Sequence, residues 1–160
     1  NSELEVLARR LGQRLQASGQ VLATAESCTG GWVAKAMTDI AGSSAWFDSG
    51  FVTYSNGAKQ RMLAVPAGVL AAEGAVSEAV VLAMVAGALA NSGATLALAV
   101  SGIAGPGGGS AEKPVGTVWF AWGGSDGRRR AKCEQFAGDR EAVRRQAVVT
   151  ALRGVMDFLG

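Results

Sequence analysis

From Ala79 to Ala111 the chain runs 33 residues without one charged side chain. Such a stretch either crosses a membrane or lies inside a globule. Its apolar run, Ala79–Ala90, is about 12 residues, short of the roughly 20 that a bilayer requires. Asn91-Ser92-Gly93 then breaks it, and Thr95–Val100 (TLALAV) is a second, shorter apolar run. A buried helix followed by a buried strand fits these lengths, and no membrane segment is expected. Val21–Ala25 is another short apolar run of the same kind. Short uniformly apolar strands are the mark of parallel sheet covered on both faces.

The other segments fit around these two strands. Residues 3–18 place Leu4, Leu7, Leu11 and Leu15 at helical spacing. Trp32–Ile40 reads as a helix after a Gly-rich turn, and Trp46–Tyr54 as an aromatic and β-branched strand. Ala58–Leu63 and the segment between Pro66 and Gly74 are short helices. Ser77 caps a helix over about 78–91, with Glu78 in its first turn. Val115–Trp122 and Arg129–Phe136 flank Gly123–Gly127 as a β-hairpin. Asp139 or Gly138 opens a last helix over about 140–159. The sum is an α/β three-layer α/β/α sandwich with a mixed, mostly parallel sheet. No linker interrupts it, so residues 1–160 read as a single domain.

Composition removes many chemistries. Histidine is absent, which excludes Ser-His-Asp and Cys-His catalysis, His phosphotransfer and His-ligated metals. Two cysteines, Cys28 and Cys133, make neither a four-thiolate zinc site nor a disulfide framework. No metal is expected, and a reducing cytoplasm is. A net charge of +2 does not suit a dedicated nucleic-acid binder. Glu3, Glu5, Arg9 and Arg10 stand where a signal peptide would need an apolar core. Asn1 in place of an initiator Met reads as a chain trimmed or excised from a longer one.

In open α/β sheets, sites form at the carboxyl ends of the strands, and two loops qualify. The first is Glu26-Ser27-Cys28-Thr29-Gly30-Gly31. A strand-to-helix turn can lift a hydroxyl above the sheet and present N–H groups, here near Cys28, Thr29 and Gly30, to an oxyanion. Ser27 or Thr29 serves equally as a plain helix cap. The second is Ser101–Gly109, with glycines at 102, 105, 107, 108 and 109. It matches neither the P-loop nor the dinucleotide fingerprint. It reads as a phosphate cradle or as a flexible loop.

A Ser27 nucleophile needs a base. Without histidine, Lys59 is the foremost candidate, since a desolvated lysine can deprotonate serine; a lone lysine on a short helix is otherwise plain surface. Cys28 is the rival nucleophile, or else a small buried side chain. Arg128, Arg129, Arg130 and Lys132 read as a solvated face, and Trp119 and Trp122 as core or subunit interface.

Five motifs then occur in order: Ala23–Gly31 (ATAESCTGG), Tyr54-Ser55-Asn56 with Lys59, Ser101–Gly108 (SGIAGPGG), Lys113–Val118 (KPVGTV), and Phe136 with Gly138-Asp139-Arg140. Together they resemble the CinA C-terminal domain family, over about residues 4 to 159. The resemblance implies a three-layer sandwich and hydrolysis of nicotinamide mononucleotide (NMN) to nicotinate mononucleotide and ammonia, in pyridine-nucleotide salvage, without a cofactor. It makes Ser27 the nucleophile and places Tyr54 and Lys59 in the active site. Which of the two is the base stays open. Glu26, Ser101, Gly102, Gly105, Gly107, Gly108 and Arg140 would hold substrate. Position 101 is usually Thr in the family, and Ser keeps the hydroxyl. Larger members carry an N-terminal domain resembling molybdopterin-binding proteins, so a non-catalytic nucleotide-binding module of such a protein is the alternative. A homo-oligomer, a dimer first, is expected from the apolar aromatic strand that begins at Trp46 and Phe47. Direct nucleic-acid binding is not.

Overall fold

The computed structural model describes residues 2–160. Helices α1 (Ser2–Ser18), α2 (Trp32–Thr38), α3 (Asn56–Leu63), α4 (Ala67–Glu73), α5 (Glu78–Ala90) and α6 (Arg140–Leu159) alternate with strands β1 (Leu22–Glu26), β2 (Phe47–Val52), β3 (Leu96–Gly102), β4 (Thr117–Gly124) and β5 (Arg129–Gln135). The strands form one sheet in the order β2-β1-β3-β4-β5. β1 pairs in parallel with β2 and β3, and β4 pairs antiparallel with β3 and β5. Four strands therefore point one way and β4 opposes them.

Alternation along each strand splits the core in two. Leu22, Leu96, Leu98, Phe120 and Trp122 face a layer made by α1, α2 and α6. Ala25, Ala97, Ala99 and Ala121 face α5, with Leu63 of α3 and Leu70 of α4 beside it. The small alanines let α5 lie close to the sheet. α5 is apolar nearly all round because α3, α4 and the sheet enclose it. It ends at Asn91, as its length predicts, and no helix among the described residues is long and apolar enough to cross a membrane.

The crossover from β1 to β2 uses α2 on one face, and that from β2 to β3 uses α3–α5 on the other. The chain therefore parts between the carboxyl ends of β1 and β3, the switch point where open α/β sheets place their ligands.

Several boundaries move, with physical causes. β2 stops at Val52 rather than Tyr54, because Thr53 N–H makes the last bond to β1, at Glu26 O, and the carbonyls of Thr53 and Tyr54 turn to Lys59 instead of a strand. β3 continues through Ser101 and Gly102, paired with Trp119 and Val118. β4 runs on to Gly124, so the hairpin turn is shorter than the glycines suggested. Trp122 is core: its indole N–H donates to Ala151 O of α6 at 3.0 Å.

Candidate active site

The Glu26–Gly31 turn is tied down from below. Glu26 is fully buried at the end of β1. Its carboxylate accepts from Thr29 Oγ1 at 2.5 Å, from Val33 N–H at 2.9 Å and from Ala34 N–H at 2.9 Å. The negative group thus occupies the positive end of α2, and no substrate anion can use that end. Gly31 enters the helix at φ 102°, a left-handed conformation that favours glycine. Gly30 N–H closes the turn on Ser27 O at 3.0 Å. Glu26 and Thr29 therefore sit beneath the site rather than in it. Gly30 N–H is not free for an oxyanion. Among the described residues, the N–H groups of Cys28, Thr29 and Gly31 are donors of this turn with no backbone acceptor, and those of Cys28 and Thr29 are the nearest to Ser27 in the chain.

Ser27, at 7% exposure, faces a pocket of about 210 Å³ that is also lined by Cys28, Tyr54, Asn56, Lys59, Ala75, Val76, Ser101, Gly102, Ala104 and Arg140. Lys59 reaches it from α3. Ser55 caps that helix, accepting from Ala58 N–H at 3.0 Å. At the far end of α3, the α5 backbone at Gly87 lies against Leu63 O, so close that a Cβ there would overlap it. Lys59 is 1% exposed. Its Nζ donates to Ser27 Oγ at 3.0 Å, to Thr53 O at 2.9 Å and to Tyr54 O at 3.3 Å. Ser27 Oγ in turn donates to Tyr54 O at 3.4 Å. Burial pushes the ammonium below its ordinary value of 10.5, and only the Cys28 thiol acts against this.

The remaining expected residues divide. Tyr54 lines the pocket, but its phenol is 60% exposed and accepts from Arg140 Nη2 at 3.0 Å. Its main-chain carbonyl, not its hydroxyl, touches the Ser27–Lys59 pair. Arg140 opens α6, which Asp139 caps, and its Nη1 donates to Gly105 O at 2.8 Å. Ser101 Oγ donates to Ala75 O at 2.8 Å, holding the Ala75–Val76 rim. Gly102 lies against Val118, where a Cβ would stand 2.6 Å from a methyl. Of the Gly-rich loop beyond it, Gly105 is buried and Gly107 and Gly108 are exposed; none of these three lines the pocket. These glycines stand outside the Ser27–Lys59 pocket. Cys28 is 6% exposed, and burial pushes its thiol up from 9.0 to about 11, although Arg144 pulls it down.

Arg144 escapes the motif reading. It stands four residues beyond Arg140 on α6, hence on the same helix face, and that spacing is the signal that could have found it. Its Nε donates to Cys28 O at 3.0 Å and its Nη2 to Thr29 O at 3.2 Å. Asn56, quoted in the Tyr54-Ser55-Asn56 motif without a role, also lines the pocket; it follows Ser55, the cap of α3. Cations line the pocket, Lys59 and Arg140, with no carboxylate among the described lining residues. No group of three or more Cys, Asp or Glu among the described residues could hold a metal ion.

Fold and pocket define a class: α/β proteins in which a serine and a buried lysine meet at the sheet's switch point. More narrowly, the chain belongs to the CinA family, whose CinA C-terminal domain profile matches residues 4–159. It is 59% identical over 153 residues to the nicotinamide-nucleotide amidohydrolase PncC of Escherichia coli K12, covering 96% of this chain and 93% of that protein. It is 57% identical over 156 residues to the protein of the same name in Pseudomonas putida, covering 97% and 96%. The crystal structure of a competence/damage inducible protein from Agrobacterium tumefaciens superposes with a TM-score of 0.94 at 48% identity, covering 96% of this chain and 94% of that one.

Proposed function

We propose that this chain is a nicotinamide-nucleotide amidohydrolase, converting NMN and water to nicotinate mononucleotide and ammonia. The observation that carries the proposal is the buried Ser27–Lys59 contact at 3.0 Å, in a chain so similar to proteins of that name. Ser27 Oγ attacks the carboxamide carbon while neutral Lys59 takes its proton. The N–H groups of Cys28 and Thr29 receive the oxyanion. Lys59 passes the proton to the amide nitrogen, the C–N bond breaks and ammonia leaves. A water, deprotonated by Lys59, then attacks the acyl-serine; the C–Oγ bond breaks, Lys59 returns that proton to Ser27 Oγ, and the acid leaves, losing its own proton to solvent. Lys59 rather than Tyr54 is the base, because Nζ touches Ser27 Oγ whereas the phenol is turned to Arg140. A pocket of about 210 Å³ suits the pyridine carboxamide. The ribose phosphate then lies at the mouth, beside Arg140 and the Gly-rich rim.

The test is ammonia release from NMN by the purified protein, with NMN affinity measured on wild type and Ser27→Ala. Release by wild type, lost in a Ser27→Ala variant that still binds NMN, is expected. Binding without release by wild type would favour the nucleotide-binding module instead. The same proposal includes one domain over residues 1–160, a cytoplasmic location and self-association as a dimer. Two free cysteines support the location. The open edge of β2, with Val52 44% exposed, supports the dimer.

A further inference from the structure

We infer that Arg144 is a positioning residue for the Ser27 turn: bridging the carbonyls of Cys28 and Thr29, its guanidinium fixes and polarises the peptide donors that face the oxyanion. The inference rests on the amidohydrolase reading for its catalytic meaning. Its geometry stands independently.

In a trans peptide the C=O and the following N–H point in opposite directions. An arginine bonded to Thr29 O therefore acts on the Gly30 N–H behind it, and that N–H donates to Ser27 O at 3.0 Å. An arginine bonded to Cys28 O acts in the same way on Thr29 N–H, which has no backbone acceptor among the described residues. Hydrogen bonds in series strengthen one another, and a charged donor at the head of the series strengthens it most. Arg144 thus makes Thr29 N–H a better donor and aims it away from α6.

The guanidinium is itself held. Its central carbon lies 5.7 Å from the centroid of the Trp32 ring at the start of α2. Glu26 grips the same turn from the opposite side, taking its hydroxyl and the first N–H groups of α2. The Cys28 and Thr29 carbonyls go to the arginine, the Thr29 hydroxyl and the Val33 and Ala34 N–H groups go to the glutamate, and the Cys28 and Thr29 N–H groups keep no backbone acceptor beside the pocket. The guanidinium spans the two carbonyls with donors fixed in one plane, Nε and Nη2, whereas an ammonium at the end of a flexible stem offers rotatable donors from a single nitrogen. Arg144 is absent from the pocket lining, so it acts on the reaction through the turn.

The experiment compares wild type, Arg144→Met and Arg144→Lys by steady-state ammonia release from NMN, thermal unfolding, and amide proton–nitrogen NMR without substrate. In Arg144→Met, kcat should fall at least about 10-fold, since loss of a whole oxyanion donor costs roughly 100- to 1,000-fold. KM should stay within about 3-fold, because only transition-state binding is lost. Arg144→Lys, which keeps the charge and most of the stem, should fold like wild type and recover only part of kcat. The Thr29 and Gly30 amide protons should move upfield in both variants. Wild-type kcat in a folded variant, or unmoved Thr29 and Gly30 resonances, would overturn the inference. If wild type itself releases no ammonia, the amidohydrolase reading fails, and the resonances alone decide the role of Arg144.

Discussion

Replacing Lys59 by Met separates chemistry from folding, because the side chain is buried and its stem can be copied. The ammonium is 1% exposed and bonds three oxygens. Removing it leaves Thr53 O without its lysine donor, while Tyr54 O keeps Ser27 Oγ. An unsatisfied buried acceptor costs about 1–3 kcal/mol. Against this stands the desolvation of an ammonium that no carboxylate in the pocket neutralises, a penalty of several kcal/mol. The two offset each other, and Lys59→Met should lie within about 2 kcal/mol of wild type. Turnover should nevertheless drop at least about 100-fold, the lower end for loss of a general base. Stability should also respond to pH. Between the depressed value of Lys59 and 10.5, the unfolded chain binds more protons at this site than the native one. The contribution of Lys59 to stability therefore rises with pH across that window, and Lys59→Met lacks the rise. Urea unfolding followed from pH 7 to 10, with ammonia release on the same samples, measures both. A folded Lys59→Met enzyme with near-wild-type turnover would place the base elsewhere. A loss above about 4 kcal/mol would show the ammonium holding the fold together and refute the offset argued here.

Cys28→Ala should keep most activity, and iodoacetamide at pH 8 should leave wild type active, since a thiol at about 11 is ionised in roughly one molecule per thousand there. The same raised value gives wild type a stability contribution that is complete below pH 9.0 and lost as pH rises towards about 11; Cys28→Ala lacks that decline in urea titrations. Tyr54→Phe removes the acceptor of Arg140 Nη2 and should raise KM for NMN several-fold with little change in kcat; a 100-fold drop in kcat would instead make the phenol a proton carrier. Gly87→Ala drives a methyl into Leu63 O and should cost about 1–3 kcal/mol by overpacking; displacement of α3 should also lower kcat, read by calorimetry and ammonia release together.

The layers of this fold are legible because both buried strands are short, apolar and followed by Ser and Gly. The helix caps Ser77 and Asp139 are legible because capping is local: each accepts from an N–H three residues on. What escapes the sequence is the destination of polar groups whose partners are distant along the chain. Ser101 is legible as a pocket residue, but not the bond its hydroxyl donates to Ala75 O, 26 residues away. Glu26, expected among the substrate-holding residues, instead accepts from the N–H groups of α2. Tyr54 contributes its carbonyl to one contact and its phenol to another, and no motif distinguishes the two. Lys59 stands out by elimination, since a chain without histidine leaves few bases, but its burial depends on how closely Gly87 lets α5 approach. Arg144 belongs to none of the five motifs, and only helix periodicity ties it to Arg140.

Ser27 and Lys59 are carried by parts of the molecule that the sheet supports unequally. Ser27 follows β1, which is flanked by strands on both sides. Lys59 follows β2, which pairs on one side only and feeds a two-turn helix held chiefly by α5. Amide exchange should therefore be fast through residues 53–63 and slow through β1 and β3, and the fast limb carries one half of the reactive pair. Warming should then part Lys59 from Ser27 before the sheet melts, so that activity should fade over a temperature range in which circular dichroism still reports a native protein, and return on cooling.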